Sequence, residues 1–312
     1  MRTNPWSKKL VYKVYSGQHM IGIKEFNKKI TSLKNTRKMT KTMKMVSASK
    51  FKRSHKSQIN AEEYAHKISE LMGRLSGSGS SSHPMLMAKK AITKSLIVLF
   101  TSDKGLCGGF NNNLIRKTRG WISDNQYKYT MIGMSFCGRR GYMSFRRTAK
   151  INKYYENITM KPAFIDAQKV AQDISQDFTM GNFEEIYLAY NRFDGPMSQT
   201  PVIEKILPLD ASVFTKTETD PVKKFPGASY EYEPEEKEIL YFLIPKFLSF
   251  KIFYTLLENA AGEHGARMSA MDKASQNTGD LIDRYTLLRN RARQAAITTE
   301  LIEIISGAEA LK

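Results

Sequence analysis

The residues best placed to do chemistry lie in one glycine-rich loop, Thr101 to Asn111, which follows the apolar run Leu96 to Phe100. A loop between a strand and a helix is where phosphate-binding sites occur in α/β proteins. The glycines at 105, 108 and 109 fit neither GxxxxGK[ST] nor GxGxxG, so a structural turn that faces a partner is favoured over nucleotide binding, which its position leaves open. The predicted partner-facing residues are Asp103, Lys104, Gly105 and Cys107.

No other set of residues indicates a catalytic, cofactor or metal site. The five histidines lack the Cys or carboxylate spacing of a zinc site, and Cys107 and Cys137, the only cysteines, have no CxxC spacing. His264 falls on a helical apolar stripe, where a buried or interface histidine is commoner than a catalytic base. We expect two free thiols, no metal, no cofactor and no catalytic residue in this chain.

Two stretches are much longer than an average globular helix. Ile23 to Met72 contains neither proline nor glycine, and Phe250 to Lys312 contains no proline. In the first, an apolar stripe at steps of three and four runs from Ile23 through Thr40, with Met43 and Val46 beside it. The second carries a heptad stripe: Phe250, Tyr254, Leu257, Ala261, His264, Met268, Met271, Ser275, Thr278, Ile282 and Tyr285. Because long helices are stabilised mainly by packing such stripes, we expect the two to form an antiparallel pair, projecting as a rod.

Between these helices the pattern changes to that of a small domain with a mainly parallel sheet. The predicted strands are Leu96–Phe100, Tyr129–Met134, Glu185–Asn191 and Pro201–Pro208, and the predicted helices are Asn112–Ser123 and Ala167–Phe178. A turn at Asp194 to Pro196 predicts a terminal hairpin. The last helix is expected to begin near Pro234 and to kink at Pro245.

These elements define the expected fold class, which is α/β. It combines a long antiparallel coiled coil of N- and C-terminal helices with an inserted Rossmann-like α/β domain. The expected division is a basic extension at 1–20, a shaft helix at 21–75, a flexible connector at 76–94, the α/β domain at 95–210, a connector at 211–233 and a second shaft helix at 234–312.

The charge of the chain is concentrated near its start. The formal net charge is +19, and the first 58 residues hold 16 Lys or Arg with one acid, Glu25. Such a concentration predicts an acidic partner, which could be nucleic acid, anionic lipid or a carboxylate-rich protein surface. Residues 1–20 have no acid, as in an organelle transit segment, although they are short and not rich in arginine or serine.

Four segments, at both ends of the chain and at the start of the central domain, resemble the gamma subunit of F-type ATP synthase. They are Asn35–Val46, Ser102–Gly108, Glu263–Asp272 and Ala292–Thr298. Gly262 and Gly265 depart from the family, in which Ser and Ala are more usual. Each glycine weakens a helix by about 1 kcal/mol relative to alanine, so we expect a softer shaft or the close approach of a partner there.

The resemblance implies a central rotary shaft in F1Fo ATP synthase, without catalytic activity of its own. The shaft would couple rotation of a proton-driven membrane c-ring to the conformational cycle of the beta-subunit catalytic sites. The implied partners are the alpha3beta3 hexamer, foot subunits of the delta and epsilon type, and the c-ring, with no nucleic acid. The implied location is peripheral, on the matrix side of the mitochondrial inner membrane.

The resemblance also implies roles for residues near the end of the chain. Arg293 and Gln294 match family positions that contact a loop of the beta subunit, whereas without the match they would be an ordinary solvated pair. Beyond them, apolar positions cover about half of the helix circumference, which is typical of either a bearing or burial on the first helix. The expected apolar bearing tip is Ile297, Leu301, Ile304, Ile305, Ala308 and Leu311.

Two other classes of function remain open on sequence alone. A basic coiled coil that binds nucleic acid would show salt-dependent binding to arbitrary duplex. A nucleotide-dependent enzyme built on the α/β domain would show nucleotide affinity in the isolated chain.

Overall fold

A five-stranded sheet domain lies between two very long helices along the chain, in a computed structural model that describes residues 22–76, 83–87, 89, 92–209 and 236–310. The elements in chain order are α1 (Ile23–Ser76), β1 (Lys94–Phe100), α2 (Phe110–Asn125), β2 (Met131–Cys137), α3 (Arg139–Phe145), β3 (Lys150–Tyr155), α4 (Phe164–Thr179), β4 (Glu185–Gly195), β5 (Ser198–Leu207) and α5 (Glu236–Glu309). The predicted extension 1–20, the connector 211–233, Pro234 and Leu311 lie outside the described residues.

The chain divides into two compact units, and both long helices contribute to each. The described parts of the first unit are residues 22–43 and 271–310, and the second unit spans residues 44–270. In the first unit the rings of Phe26 and Tyr285 are 6.4 Å apart, and Arg37 lies so close to Gly279 that a Cβ there would be 3.3 Å from its guanidinium carbon. Residue numbers therefore rise along α1 as they fall along α5, so the pairing is antiparallel.

The same direction of pairing holds within the second unit. The Gln58 amide donates to the Tyr254 hydroxyl at 3.4 Å, and the Tyr64 ring lies 4.5 Å from the ring of Phe250. Every member of the predicted heptad stripe of α5 is buried or half-buried, which confirms the stripe. On α1, Val46, which was predicted to lie beside the stripe, is 52% exposed, and the neighbouring Ser47 is buried.

The sheet has helices on both faces, as expected for a Rossmann-like domain. Its strand order is β3-β2-β1-β4-β5; the first four strands are parallel, and β5 closes an antiparallel hairpin with β4. Residues Leu96 to Phe100 of β1 are fully buried. One face of the sheet packs on α4 and the start of α5, and the other packs on α2 and α3. The predicted fold class is confirmed.

Strand β3 was missed from sequence, and the limits of other elements were misplaced. The β3 sequence KINKYY is mostly polar because this strand lies at the edge of the sheet, so it lacks the apolar run of a buried strand. Strand β2 begins at Met131, two residues later than predicted, and ends at Cys137. Helices α1, α2 and α4 extend two to four residues beyond at least one predicted end.

The apolar start of α5 belongs to the domain core. Residues Glu238–Glu309 contain a window long and apolar enough to pass a composition test for a membrane span, but half of that window is buried within the protein. Leu240, Ile244, Leu248 and Ile252 are at most 2% exposed and pack on the sheet. Helix α5 continues through Pro245, whose carbonyl accepts a hydrogen bond from the Ser249 hydroxyl; the expected kink there stays a prediction.

Candidate functional site

The glycine-rich loop lies at the carboxyl end of β1, where the strand order reverses between β1 and β4. This crevice is where doubly wound sheets bind their ligands. Here the chain fills it: the Asn259 amide of α5 donates to the Thr101 carbonyl at 3.4 Å, and the Asn191 amide donates to the Phe110 carbonyl at 3.1 Å. Gly262 of α5 also lies against the Phe110 ring. Contacts with α5 and β4 therefore occupy part of this crevice.

A buried ion pair of α5 holds the loop. The Arg267 guanidinium lies 2.6 Å from the Glu263 carboxylate, one helical turn away, and donates to the carbonyls of Lys104 and Gly105 at 3.2 and 3.0 Å. Loop carbonyls, which repel anions, thus point towards this helix. Burial raises the pKa of Glu263, and the charge of Arg267 opposes that rise. The sequence signal for this clamp was a Glu and an Arg four residues apart, which sequence analysis did not use.

Asp103 has two hydrogen-bond partners within the chain. One of its carboxylate oxygens accepts the backbone N–H of Arg139 at 2.9 Å, and the other accepts the Thr159 hydroxyl at 2.6 Å. A carboxylate at the first N–H groups of a helix favours that helix end, and here the helix is α3. Asp103 is half-buried, whereas Lys104 is exposed.

Cys107 is buried and cannot face a partner. It is 2% exposed, its Sγ accepts the Asn111 amide at 3.2 Å, and the Ser102 hydroxyl lies 3.8 Å away. Burial raises the pKa of this thiol, so it stays in the protonated, unreactive form. The prediction that Cys107 is partner-facing is wrong because the loop folds inwards onto α5. Asp103, Lys104 and Gly105 stay candidates only for contacts through the outer surface of the loop.

The hairpin of β4 and β5 is fixed to α5 at two glycines. A Cβ at Gly265 would lie 2.9 Å from the Pro196 carbonyl oxygen and 3.1 Å from its Cα, so the hairpin turn rests directly on the helix backbone. A Cβ at Gly262 would meet the Phe110 and Gln199 side chains at 3.0 and 3.3 Å. The close approach expected at these glycines therefore comes from the chain's own domain.

Two titratable side chains at this joint are strongly affected by burial. Burial raises the pKa of Glu258 to about 7, although its carboxylate accepts the Phe193 N–H at 3.4 Å and Lys251 lies nearby. Burial lowers the pKa of His264 to about 4, and the charges of Arg267 and Lys50 act in the same direction. His264 is thus a neutral, buried histidine, as the heptad stripe predicted.

The residues predicted at the end of α5 are exposed as far as the structure describes them, which is to residue 310. Arg293 and Gln294 lie on the helix with their side chains in solvent. The apolar positions that follow are 50% to 63% exposed at Ile297, Leu301, Ile304 and Ile305, and Ala308 is exposed as well. Within the part of the chain that the structure describes, α1 does not cover them, so the alternative of burial on the first helix is wrong.

Comparison with known proteins gives one consistent result. An ATP synthase family profile matches residues 22–311. The chain is 40% identical over 293 residues to the ATP synthase gamma chain of Geobacter metallireducens, covering 94% of this chain and 100% of that one. It is 38% identical to the gamma chain of Brevibacillus brevis, covering 93% and 98%.

Solved structures agree with these relatives. A chain of the central stalk and c-ring of Tetrahymena thermophila mitochondrial ATP synthase is similar with a TM-score of 0.55 and 25% identity, covering 76% of this chain and 99% of that one. A chain of the Euglena gracilis mitochondrial ATP synthase rotor has a TM-score of 0.59 at 16% identity, covering 88% and 98%. At that identity the Euglena likeness shows the fold alone.

Proposed function

The chain belongs to the gamma-chain family of ATP synthase, and from that membership we propose the mechanism by which it serves as the central rotary shaft. The full-length similarity to ATP synthase gamma chains, at 40% identity, is the observation that carries the proposal. In this role the chain is a non-catalytic rotor subunit, and it is a peripheral subunit of a membrane-bound complex. Neither the fold nor the comparisons favour the nucleic-acid alternative.

Torque passes through the antiparallel pair of long helices. A shaft with different side chains on each face contacts three surrounding beta subunits differently, so its angle biases which catalytic site is open or closed. Only differential contact energy can shift such an equilibrium, so an asymmetric surface is required. The exposed basic side of α1, which includes Lys28, Lys34, Lys38 and Lys41, supplies one such asymmetry towards acidic partner surfaces.

We assign Arg293 and Gln294 to the contact with a beta-subunit loop. Both side chains are exposed, so no contact within the described chain competes for them. The planar guanidinium of Arg293 can bind a carboxylate through two parallel hydrogen bonds, which fixes orientation as well as distance. Such a contact forms and breaks once per passing beta subunit.

The exposed apolar residues from Ile297 to Ala308 serve as the bearing. Contiguous exposed apolar surface is unusual in a soluble chain and marks an interaction site. Apolar contacts are non-directional, so an apolar tip can turn within an apolar collar without strong bonds that would lock one angle. Leu311, the last member of the predicted tip, lies outside the described residues.

The α/β domain acts as the foot of the shaft, with delta- and epsilon-type subunits and the c-ring as its partners. Torque that enters through this domain reaches α5 only if the two are joined rigidly. The Arg267 clamp on the loop and the seat of Pro196 on Gly265 supply two separate points of attachment on the same helix. Two points of attachment prevent the domain from rotating about α5, whereas a single point of attachment would allow that rotation.

The mitochondrial inner membrane is the proposed location. Residues 1–21 precede the family match, and residues 1–20 carry four Lys or Arg without an acid, as import segments do. Mass measurement of the N-terminus of the mature subunit tests this proposal: loss of this segment supports import, and a retained Met1 counts against it.

Copurification tests the central assignment. The tagged chain is expected to isolate alpha and beta subunits in a 3:3:1 ratio with this subunit, together with membrane-ring and foot subunits. Isolation of the chain alone, or with nucleic acid that high salt removes, would contradict the rotor role.

A further inference from the structure

Strand β3 is the open edge of the sheet. It pairs with β2 alone, and in the described ranges no backbone group outside β2 bonds to residues 150–155. The opposite edge, β5, is restrained by its neighbours: Lys251 of α5 pairs with Glu204 at 2.7 Å, and Lys117 of α2 donates to the Pro201 carbonyl at 2.6 Å. An open edge presents a row of unpaired N–H and C=O groups, to which a further strand can be added.

Basic residues cluster around this edge of the sheet. Residues 110–153 contain ten Lys or Arg and a single acid, Asp124. Arg146, Arg147 and Lys150 are exposed at the start of β3, and Arg139 is exposed near its end. None of these four side chains takes part in an ion pair among the described residues.

Helix α3 places these charges beside the strand. The Tyr142 ring of α3 stacks on Tyr154 of β3 with the ring centroids 4.5 Å apart and the planes 13° apart. Burial raises the pKa of Tyr154, as do the charges of Asp103 and Glu156, and the charge of Arg139 opposes that rise. Arg139 therefore acts on the α3 face of the edge beside these two carboxylates.

The opposite face of the edge differs, because α4 supplies carboxylates there. Asp173 pairs with Lys153 at 2.7 Å and accepts the Tyr155 hydroxyl at 2.8 Å, and Asp177 accepts the Asn152 amide at 2.8 Å. These polar side chains are therefore one another's hydrogen-bond and ion-pair partners. Lys150 also lies on this face, with its Nζ 2.9 Å from the Met131 sulfur, so the arginines supply the unpaired positive charge of the α3 face.

We propose that β3 accepts an extended segment of a partner subunit as a sixth strand, with carboxylates at alternate positions on the α3 face. Successive side chains of a strand point to opposite faces, so alternate Asp or Glu residues would all meet the arginines. Main-chain hydrogen bonds supply affinity in this mode of recognition, and the side chains supply selectivity. Ile151, which is 38% exposed on the strand, offers apolar contact.

Basic side chains at an edge also prevent pairing with a second, equally basic copy of the chain, because like charges opposite each other are destabilising. The same repulsion favours an acidic segment as the added strand. The inference rests on the proposed function only in seeking the partner among the subunits of the same complex.

Hydrogen exchange tests the proposal on the intact complex and on the isolated chain. The amides of residues 150–155 are expected to exchange at least tenfold more slowly in the complex. Arg146→Glu with Arg147→Glu should return the exchange to within twofold of the isolated chain, whereas Arg146→Lys with Arg147→Lys should keep the protection. Lys161→Glu with Lys169→Glu, an equal charge change at other exposed positions of the same domain, should also keep it.

Three outcomes would overturn the inference without touching the rotor assignment, which copurification reports separately. The first is equal exchange of these amides in the complex and the isolated chain. The second is protection that survives the double charge reversal. The third is equal protection of the isolated chain by vesicles of 30% anionic phospholipid, which would assign the face to lipid.

Discussion

Replacement of Gly265 by alanine measures how closely the hairpin seats on α5. In an unobstructed helix, Gly→Ala stabilises by about 1 kcal/mol. At Gly265 the added Cβ would lie 2.9 Å from the carbonyl oxygen and 3.1 Å from the Cα of Pro196, which are backbone atoms that cannot rotate away. Overpacking of this kind costs about 1–3 kcal/mol, so the net effect is a loss of up to about 2 kcal/mol in the free energy of unfolding.

Two matched glycines provide the scale for this loss. Gly120 of α2 has nothing within 4 Å of an added Cβ, so Gly120→Ala should stabilise by about the full 1 kcal/mol. Gly262 meets only the Phe110 and Gln199 side chains, which can move, so Gly262→Ala should fall between the two.

Calorimetry of the purified variants ranks the three substitutions, and the expected order of Tm is Gly120→Ala, then Gly262→Ala, then Gly265→Ala, with a few degrees between the extremes. In the assembled complex, Gly265→Ala should also lower the yield of ATP synthesis per proton, because the joint loosens. A Gly265→Ala variant as stable as Gly120→Ala would refute the close seat of Pro196.

Three further predictions concern other parts of the chain. Arg293→Ala should lower coupled ATP synthesis in assembled complex while leaving the Tm of the subunit unchanged, and an unchanged synthesis rate would count against its contact with beta. Ile304→Asp with Ile305→Asp should leave the isolated subunit folded, since both are about 60% exposed, but should slow rotation in single-complex assays. The pKa of Glu258 is about 7 in the folded protein and 4.5 in the unfolded chain, so folding favours its protonated form. Its contribution to the free energy of unfolding is therefore full below pH 4.5, and about 3 kcal/mol of it is lost as the pH rises to 7. Denaturant titrations should therefore show that Glu258→Gln gains stability relative to the wild type between pH 4.5 and 7.5. If the stabilities of the two proteins changed in parallel with pH, the raised pKa of the buried Glu258 carboxyl would be contradicted.

Local periodicity was enough to predict the long helices and the central sheet. The heptad stripe of α5 is buried or half-buried along its whole length because a step of four and three residues returns to one face of a helix whatever its partner is. The apolar run of β1 and the hairpin of β4 and β5 are likewise local patterns. Strand β3 was not predicted because an edge strand does not need an apolar run. Its polar sequence carries little signal without the neighbouring β2.

The sequence by itself determined the two long helices, which follow from spacing along the chain, and the family, which follows from the resemblance of four segments. Only the tertiary structure decided that Cys107 is buried, that Arg267 holds the loop and that Pro196 rests on Gly265. The last two contacts join residues about 70 to 160 positions apart, and their geometry depends on how the sheet, the hairpin and α5 pack together. No spacing within a single segment encodes such a distance, because it is set by the packing of the whole domain.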